Sequence, residues 1–263
     1  MPIGPFEQQV LGLLAAHRNP ESYIGGATVL NQSPDSARRS EDIDVFHDTE
    51  SALRDALDKD LPLLEKNGYQ VRTLFSTPSF HRAVVKKGQQ ATKLEWLYDS
   101  AFRFFPIEPD SKLGYRLNFW DAATNKVLAG VGRREIRDYM DLIELHQSQL
   151  SLGALVWAAA GKDPGLNPHF ICNELARTHR YSPPEYESLH MNPVDPEDAR
   201  KQWRDALSEA EILFDTVLKD APFGCFFLDV NRKPQCPTME SLSALTPHAG
   251  SLGGCWPQVV KTG

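Results

Sequence analysis

The reading turns on YIGGATVLNQSPDSARRSEDIDVF, Tyr23 to Phe46. Tyr23 and Ile24 form a short strand that runs into Gly25-Gly26, and Ala27 to Leu30 opens a short helix. A polar loop over 31–40 carries Arg38 and Arg39, and Asp42 to Phe46 returns to strand. On a strand, residues i and i+2 share a face, so Asp42 and Asp44 project together while Ile43 turns to the core. Two ionised carboxylates a few ångströms apart repel unless a cation balances them. Mg²⁺ suits that position: it takes hard oxygen ligands, one or two carboxylates together with substrate phosphates. A Gly-Gly turn lets backbone approach a phosphate closely, and a helix start behind it presents free N–H groups. One half of the stretch can hold phosphates, and the other the metal they carry.

Reading outward, a two-metal displacement usually calls for a third carboxylate. Glu95, in Lys93-Leu94-Glu95-Trp96, lies on a strand able to pair with Asp42–Phe46, and Asp99 is the alternative. Phe6, Val10, Leu13 and Leu14 give an amphipathic helix over 5–17, and Thr49 to Asn67 gives a second one, stopped by Asn67-Gly68. Strands follow at Tyr69–Leu74, Phe80–Lys86 and Thr92–Tyr98, the last two joined as a hairpin. Residues 106–110 read as a linker. Beyond them come helices at Trp120–Ala129, Arg133–Leu150, Leu152–Ala160, from Pro168 (capped by Asn167) to about 177, and Asp198–Asp220. Residues 183–196 read as a proline-rich connector, and short strands such as Cys225–Val230 fall in the tail. The expected division is 1–112 for a mixed helix-and-strand core, 113–222 for a helical domain, and 223–263 for an irregular tail with short strands.

The bulk properties bound the function. With 263 residues and 41% hydrophobic content, the chain can bury a sizeable core without staples. A formal net charge of −7 gives no global attraction to nucleic acid or anionic membrane, although 28 Lys and Arg suffice for a local basic patch. The four cysteines, Cys172, Cys225, Cys236 and Cys255, form no CxxC pair, which argues against structural zinc and for free thiols in a reducing compartment. No apolar run reaches the roughly 18 residues of a membrane span, and a cytoplasmic protein is expected.

A second motif lies in TNKVLAGVGRREIRDYMDLIEL, Thr124 to Leu145. Arg137, Asp138 and Asp141 fall at i, i+1 and i+4, so Arg137 can pair with Asp141 along the helix and Asp138 shares a face with Asp141. Lys126 sits one helix earlier. Helical spacing alone makes this a solvated face with ion pairs.

Together these residues resemble the DNA-polymerase-β-like nucleotidyltransferases. Gly25-Gly26-Ala27 followed by Arg39-Ser40-Glu41-Asp42-Ile43-Asp44 looks like that superfamily's first motif, and the stretch from Asn125 to Leu142 is similar to a segment of its AbiEii-type toxin group. The resemblance covers about 5–150. It implies an α+β fold: a small mixed β-sheet core with flanking helices, then a helical C-terminal region. It also implies transfer of a nucleoside monophosphate from an NTP to a hydroxyl, with release of pyrophosphate and with Mg²⁺ or Mn²⁺ as cofactor. In that frame Asp42, Asp44 and Glu95 are the metal-binding and catalytic carboxylates. Gly25, Gly26 and Ser40 line the phosphates, Lys126 faces the triphosphate, and Asp138 and Asp141 are the acidic pair of the later motif. The acceptor stays open between RNA, protein and small molecule, and a cognate antitoxin is implied by the toxin group alone. A basic surface around Arg38, Arg39, Arg133, Arg134 and Arg137 would favour a tRNA-like acceptor. The alternative function is a catalytically silent nucleotide-binding or partner-binding regulatory module.

Overall fold

The computed structural model describes residues 3–32, 38, 42–177, 180–189 and 193–257. It divides into two compact units: residues 1–101 with 106–122, and 102–105 with 123–263.

The first unit begins with α1 (Pro5–Leu14), β1 (Ser22–Ile24), α2 (Gly26–Leu30), β2 (Asp42–His47) and α3 (Glu50–Lys66). Thr49 caps α3 by accepting from the Ala52 N–H, and the chain leaves that helix through Gly68 at φ +80°. Then come β3 (Gln70–Thr77), β4 (Phe80–Lys87) and β5 (Gln90–Tyr98). The two-residue β6 (Phe102–Arg103) belongs to the second unit, and β7 (Glu108–Asp110) and β8 (Gly114–Arg116) return to the first. Among the described residues the sheet has seven strands in the order β3-β4-β5-β2-β1-β8-β7, with β2·β5 and β1·β8 parallel and the other pairs antiparallel. The linker expected over 106–110 is therefore corrected: residues 108–110 are the edge strand β7. Pro109 hid it, and an edge is where a sheet tolerates proline.

Alternation along β2, β4 and β5 sends Ile43, Val45, Ala83, Val85, Leu94 and Trp96 to one face, all at 0% exposure. They pack with Phe6, Val10 and Leu14 of α1 and with Leu53 and Leu64 of α3. Burying such side chains is the main favourable contribution to folding, about 1.5–3 kcal/mol each. The face carrying Asp42, Asp44, Lys93 and Glu95 is only half-buried.

The second unit is mainly helical: the later part of α4 (Phe119–Arg133), then α5 (Ile136–Ser148), α6 (Leu152–Ala159), α7 (Pro168–Leu175), α8 (Pro183–Glu187) and α9 (Pro196–Ile212). Asn167 caps α7 as expected, accepting from the Phe170 N–H. The connector at 183–196 holds α8, whose capping box joins Ser182 and Glu185. Every residue of α6 is buried, and the Tyr139 and Trp203 rings pack 5.0 Å apart between α5 and α9. Residues from 225 onward fold back as β9 (Cys225–Leu228) between β10 (Pro234–Gln235) and β11 (Thr246–Ala249), and β12 (Ser251–Leu252) pairs with β6. The α+β architecture expected from the resemblance is the one found.

Candidate active site

The parallel register of β2 and β5 sets Asp42 opposite Lys93 and Asp44 opposite Glu95. The antiparallel register of β4 and β5 sets Arg82 opposite Glu95. Three carboxylates and two cations thus share one open face of three neighbouring strands. Lys93 Nζ lies 2.7 Å from Asp42 Oδ2 and 3.7 Å from Glu95 Oε1, and Arg82 Nε donates to Glu95 Oε1 at 2.8 Å. The sequence pattern gave the carboxylates. It did not give Lys93 or Arg82 as their partners, because that needs the register of all three strands. Asp99 lies past the end of β5, its N–H donating to the His47 carbonyl at 3.0 Å, so register places Glu95 and not Asp99 beside Asp44.

The two glycines meet this face directly. Gly26 has φ +61°, and a Cβ there would run into the Asp44 carboxylate. A Cβ on Gly25 would run into the Phe46 ring, and the Gly25 N–H donates to the Asp44 carbonyl at 3.1 Å. A side chain at either position would push the turn off β2. Thr28, buried behind the turn, donates from Oγ1 to the Asp42 carbonyl at 3.4 Å, bracing the strand from the α2 side. Ser40 and Arg39 lie outside the described residues.

Does this donor set suit a divalent metal? Among the described residues, no three or more His, Cys, Asp or Glu side chains are gathered as a metal cluster. Asp42 and Asp44 nevertheless supply hard carboxylate oxygens from one face, beside a turn stripped of side chains. Two carboxylates completed by phosphates are a usual Mg²⁺ set. The fit is to two aspartates, with Glu95 alongside and held by Arg82.

The later motif has a different character. Asp138 is fully buried, and Asp141 and Lys126 are each 5% exposed. Lys126 Nζ lies 2.8 Å from Asp138 Oδ1 and 2.9 Å from Asp141 Oδ2, and Arg133 holds both Asp138 oxygens at 2.8 and 3.0 Å. Burial alone would raise the Asp138 carboxyl, but Arg133 and Lys126 outweigh it and hold it below the ordinary carboxylate range. The solvated helix face read from spacing is corrected: these charges are enclosed and mutually neutralised, and spacing carries no information on burial. Arg137 lies 2.5 Å from Glu135 and Arg134 lies 2.6 Å from Glu174. Arg38 is buried. Four of the five arginines of the expected basic surface are thus buried or engaged with carboxylates, and Arg39 is outside the described residues.

Other reactive groups are quiet. Burial pushes the Cys172 thiol up to about 12 and the Cys225 thiol to about 11, so neither is a nucleophile at neutral pH. Among the described residues no helix is long and apolar enough to cross a membrane.

Comparison with known proteins bears on the fold. No family model matches the chain, and no curated protein does. Solved structures do. A crystal structure from H. pylori, of a protein assigned as a nucleotidyltransferase, superposes with a TM-score of 0.53 at 17% identity, over 81% of this chain and 95% of that one. JHP933 from Helicobacter pylori gives 0.50 at 18% identity over the same shares. MenT4, the nucleotidyltransferase toxin Rv2826c from Mycobacterium tuberculosis H37Rv, gives 0.56 at 15% identity, over 78% of this chain and 82% of that one.

Proposed function

We propose that this chain, which has the fold of nucleotidyltransferases, is a metal-dependent nucleotidyltransferase moving NMP from an NTP to an acceptor hydroxyl. The observation that carries the reading is the shared open face of β2 and β5, where Asp42 and Asp44 stand against the side-chain-free Gly25-Gly26 turn and opposite Glu95. Asp42 and Asp44 would hold Mg²⁺ or Mn²⁺, which when bound with the triphosphate neutralises charge at the reacting phosphate. Gly26 leaves room for phosphate oxygens beside Asp44. Glu95, oriented by Arg82, takes the proton of the acceptor hydroxyl. That oxygen bonds to the α-phosphorus, the bond from the α-phosphorus to the bridging oxygen breaks, and pyrophosphate leaves. Catalysis on this face is chiefly positioning and charge balance. Lys126, committed to Asp138 and Asp141, has in our reading the task of holding α4 to α5.

The acceptor we favour is RNA, because the stretch 66–94 has no acidic residue and, beside Arg82 and Lys93 that pair with the site carboxylates, contains Lys66, Arg72, Lys86 and Lys87, in a chain of net charge −7. Phe75 is exposed there, with the Phe80 ring 6.0 Å from it and the Arg82 guanidinium 5.1 Å from Phe80, a combination suited to stacking on bases. By likeness to MenT4, a toxin role with a cognate antitoxin belongs to the same reading. A silent regulatory module is the second reading, favoured by the neutralisation of Asp42 and Glu95 by Lys93 and Arg82.

The test is label transfer from each α-labelled NTP, with Mg²⁺, onto bulk tRNA, onto cell protein and onto the protein itself, with Asp44→Asn alongside. Label on RNA with wild type alone supports the proposal, and label on protein moves the acceptor. Absence of label everywhere, with the NTP still raising the melting temperature, supports the silent module.

A further inference from the structure

Lys93 is placed between oxygens that the proposed function gives to a divalent cation and to proton transfer. Its register partner on β2 is Asp42 and on β4 is Val84, so its stem runs along the open face with an apolar neighbour on one side and a carboxylate on the other. The ammonium lies 2.7 Å from Asp42 Oδ2 and 3.7 Å from Glu95 Oε1. One pair along, the same register sets the two carboxylates Asp44 and Glu95 directly opposite each other, an arrangement that destabilises a sheet through like charge. Arg82 offsets it at Glu95, and Lys93 is the resident cation on the Asp42 side of the face until a divalent ion arrives.

We propose that Lys93 is an internal counter-ion that competes with divalent metal for Asp42 and so couples metal loading to nucleotide binding. The inference rests on the proposed function. Metal arriving alone must displace the ammonium from Asp42 and leave it only Glu95, which Arg82 already holds, so it binds weakly. Metal arriving with a triphosphate brings the anion that receives the displaced ammonium, and a flexible four-carbon stem lets Lys93 swing from carboxylate to phosphate. Competition in one state and attraction in the other make the two ligands mutually reinforcing, and linkage requires that coupling to be reciprocal. A lysine suits this role better than an arginine, whose rigid fork pairs two-pronged with a carboxylate and releases it less readily.

The experiment is a Mn²⁺ titration followed by electron paramagnetic resonance, with and without a non-hydrolysable NTP. It uses the full chain as wild type, Lys93→Met, Lys93→Arg and Asp44→Asn. Lys93→Met should bind Mn²⁺ alone about tenfold more tightly than wild type and should lose most of the enhancement that nucleotide gives, within the usual range of coupling. Lys93→Arg, which keeps the charge, should stay weak for Mn²⁺ alone, separating charge from packing. Equal or weaker Mn²⁺ binding by Lys93→Met overturns the inference while leaving the proposed function standing, provided Asp44→Asn still abolishes binding. Mn²⁺ binding unaffected by Asp44→Asn, or absent from wild type with nucleotide, overturns both.

Discussion

Two acidic pairs in this chain look alike on paper and sit in opposite surroundings. Asp42 and Asp44 stand two apart on a strand, and Asp138 and Asp141 stand three apart on a helix, so each pair shares a face. The strand pair is half-buried on an open sheet face, with Lys93 reaching Asp42 from the next strand. The helix pair is enclosed, with Lys126 between its members and Arg133 donating from Nε and Nη2 to Asp138. A carboxylate that can exchange its partner is available for chemistry. One that is buried with a matched cation is fixed by the cost of separating them. Burial and partner, more than spacing, are the grounds on which we propose the strand pair and not the helix pair as the site.

That contrast can be broken by experiment. The largest effect on stability should come from Lys126→Met, which leaves two buried carboxylates without their shared ammonium and should cost about 3–5 kcal/mol in denaturant unfolding. A loss below about 1 kcal/mol would mean that the cluster is wetter than its geometry indicates. Asp44→Asn should do the reverse: transfer should fall by about 10²–10³-fold, or about 3–4 kcal/mol of barrier, with the unfolding midpoint nearly unchanged.

Acid should then separate the two regions. Burial lowers the His47 imidazole from 6.5 to about 4, so the folded state keeps it neutral while the unfolded state takes up a proton. Its favourable share is complete above pH 6.5, is lost as pH falls toward 4, and amounts to about 3 kcal/mol over that window. A His47→Gln variant should show a flatter stability profile between pH 7 and 4. Asp138, held below its ordinary value, adds a loss only at lower pH, as the medium falls through its depressed range. Gly26→Ala should cost less stability than Lys126→Met, about 1–2 kcal/mol for a left-handed backbone with a side chain. Displacement of the Asp44 carboxylate should nevertheless make its transfer defect larger than that figure suggests, measured as kcat beside circular dichroism.

Much of this was legible before the fold was known, for definite reasons. The alternation that faces Asp44 outward and Ile43 inward follows from strand geometry, and the cap at Asn167 follows from residue chemistry. The Gly25-Gly26 turn is legible because two glycines between a strand and a helix start mark a tight turn that admits a positive φ. Other features depended on distant contacts. β7 and β8 are three residues each and are stabilised by pairing with each other and with β1, which no local pattern reports. The enclosure of Lys126 depends on α5 packing over α4. The pairing of Arg82 with Glu95 and of Lys93 with Asp42 follows only from the register of β4, β5 and β2.

Everything proposed for this face depends on Asp42 and Asp44 holding the metal of a bound nucleotide. The most direct measurement is the anomalous signal of Mn²⁺ in crystals grown with a non-hydrolysable NTP. The expected result is a peak about 2 Å from carboxylate oxygens of both aspartates, with the triphosphate completing the shell beside Gly25 and Gly26. A peak on other residues, or nucleotide bound away from this face with both aspartates still in ion pairs, would contradict it.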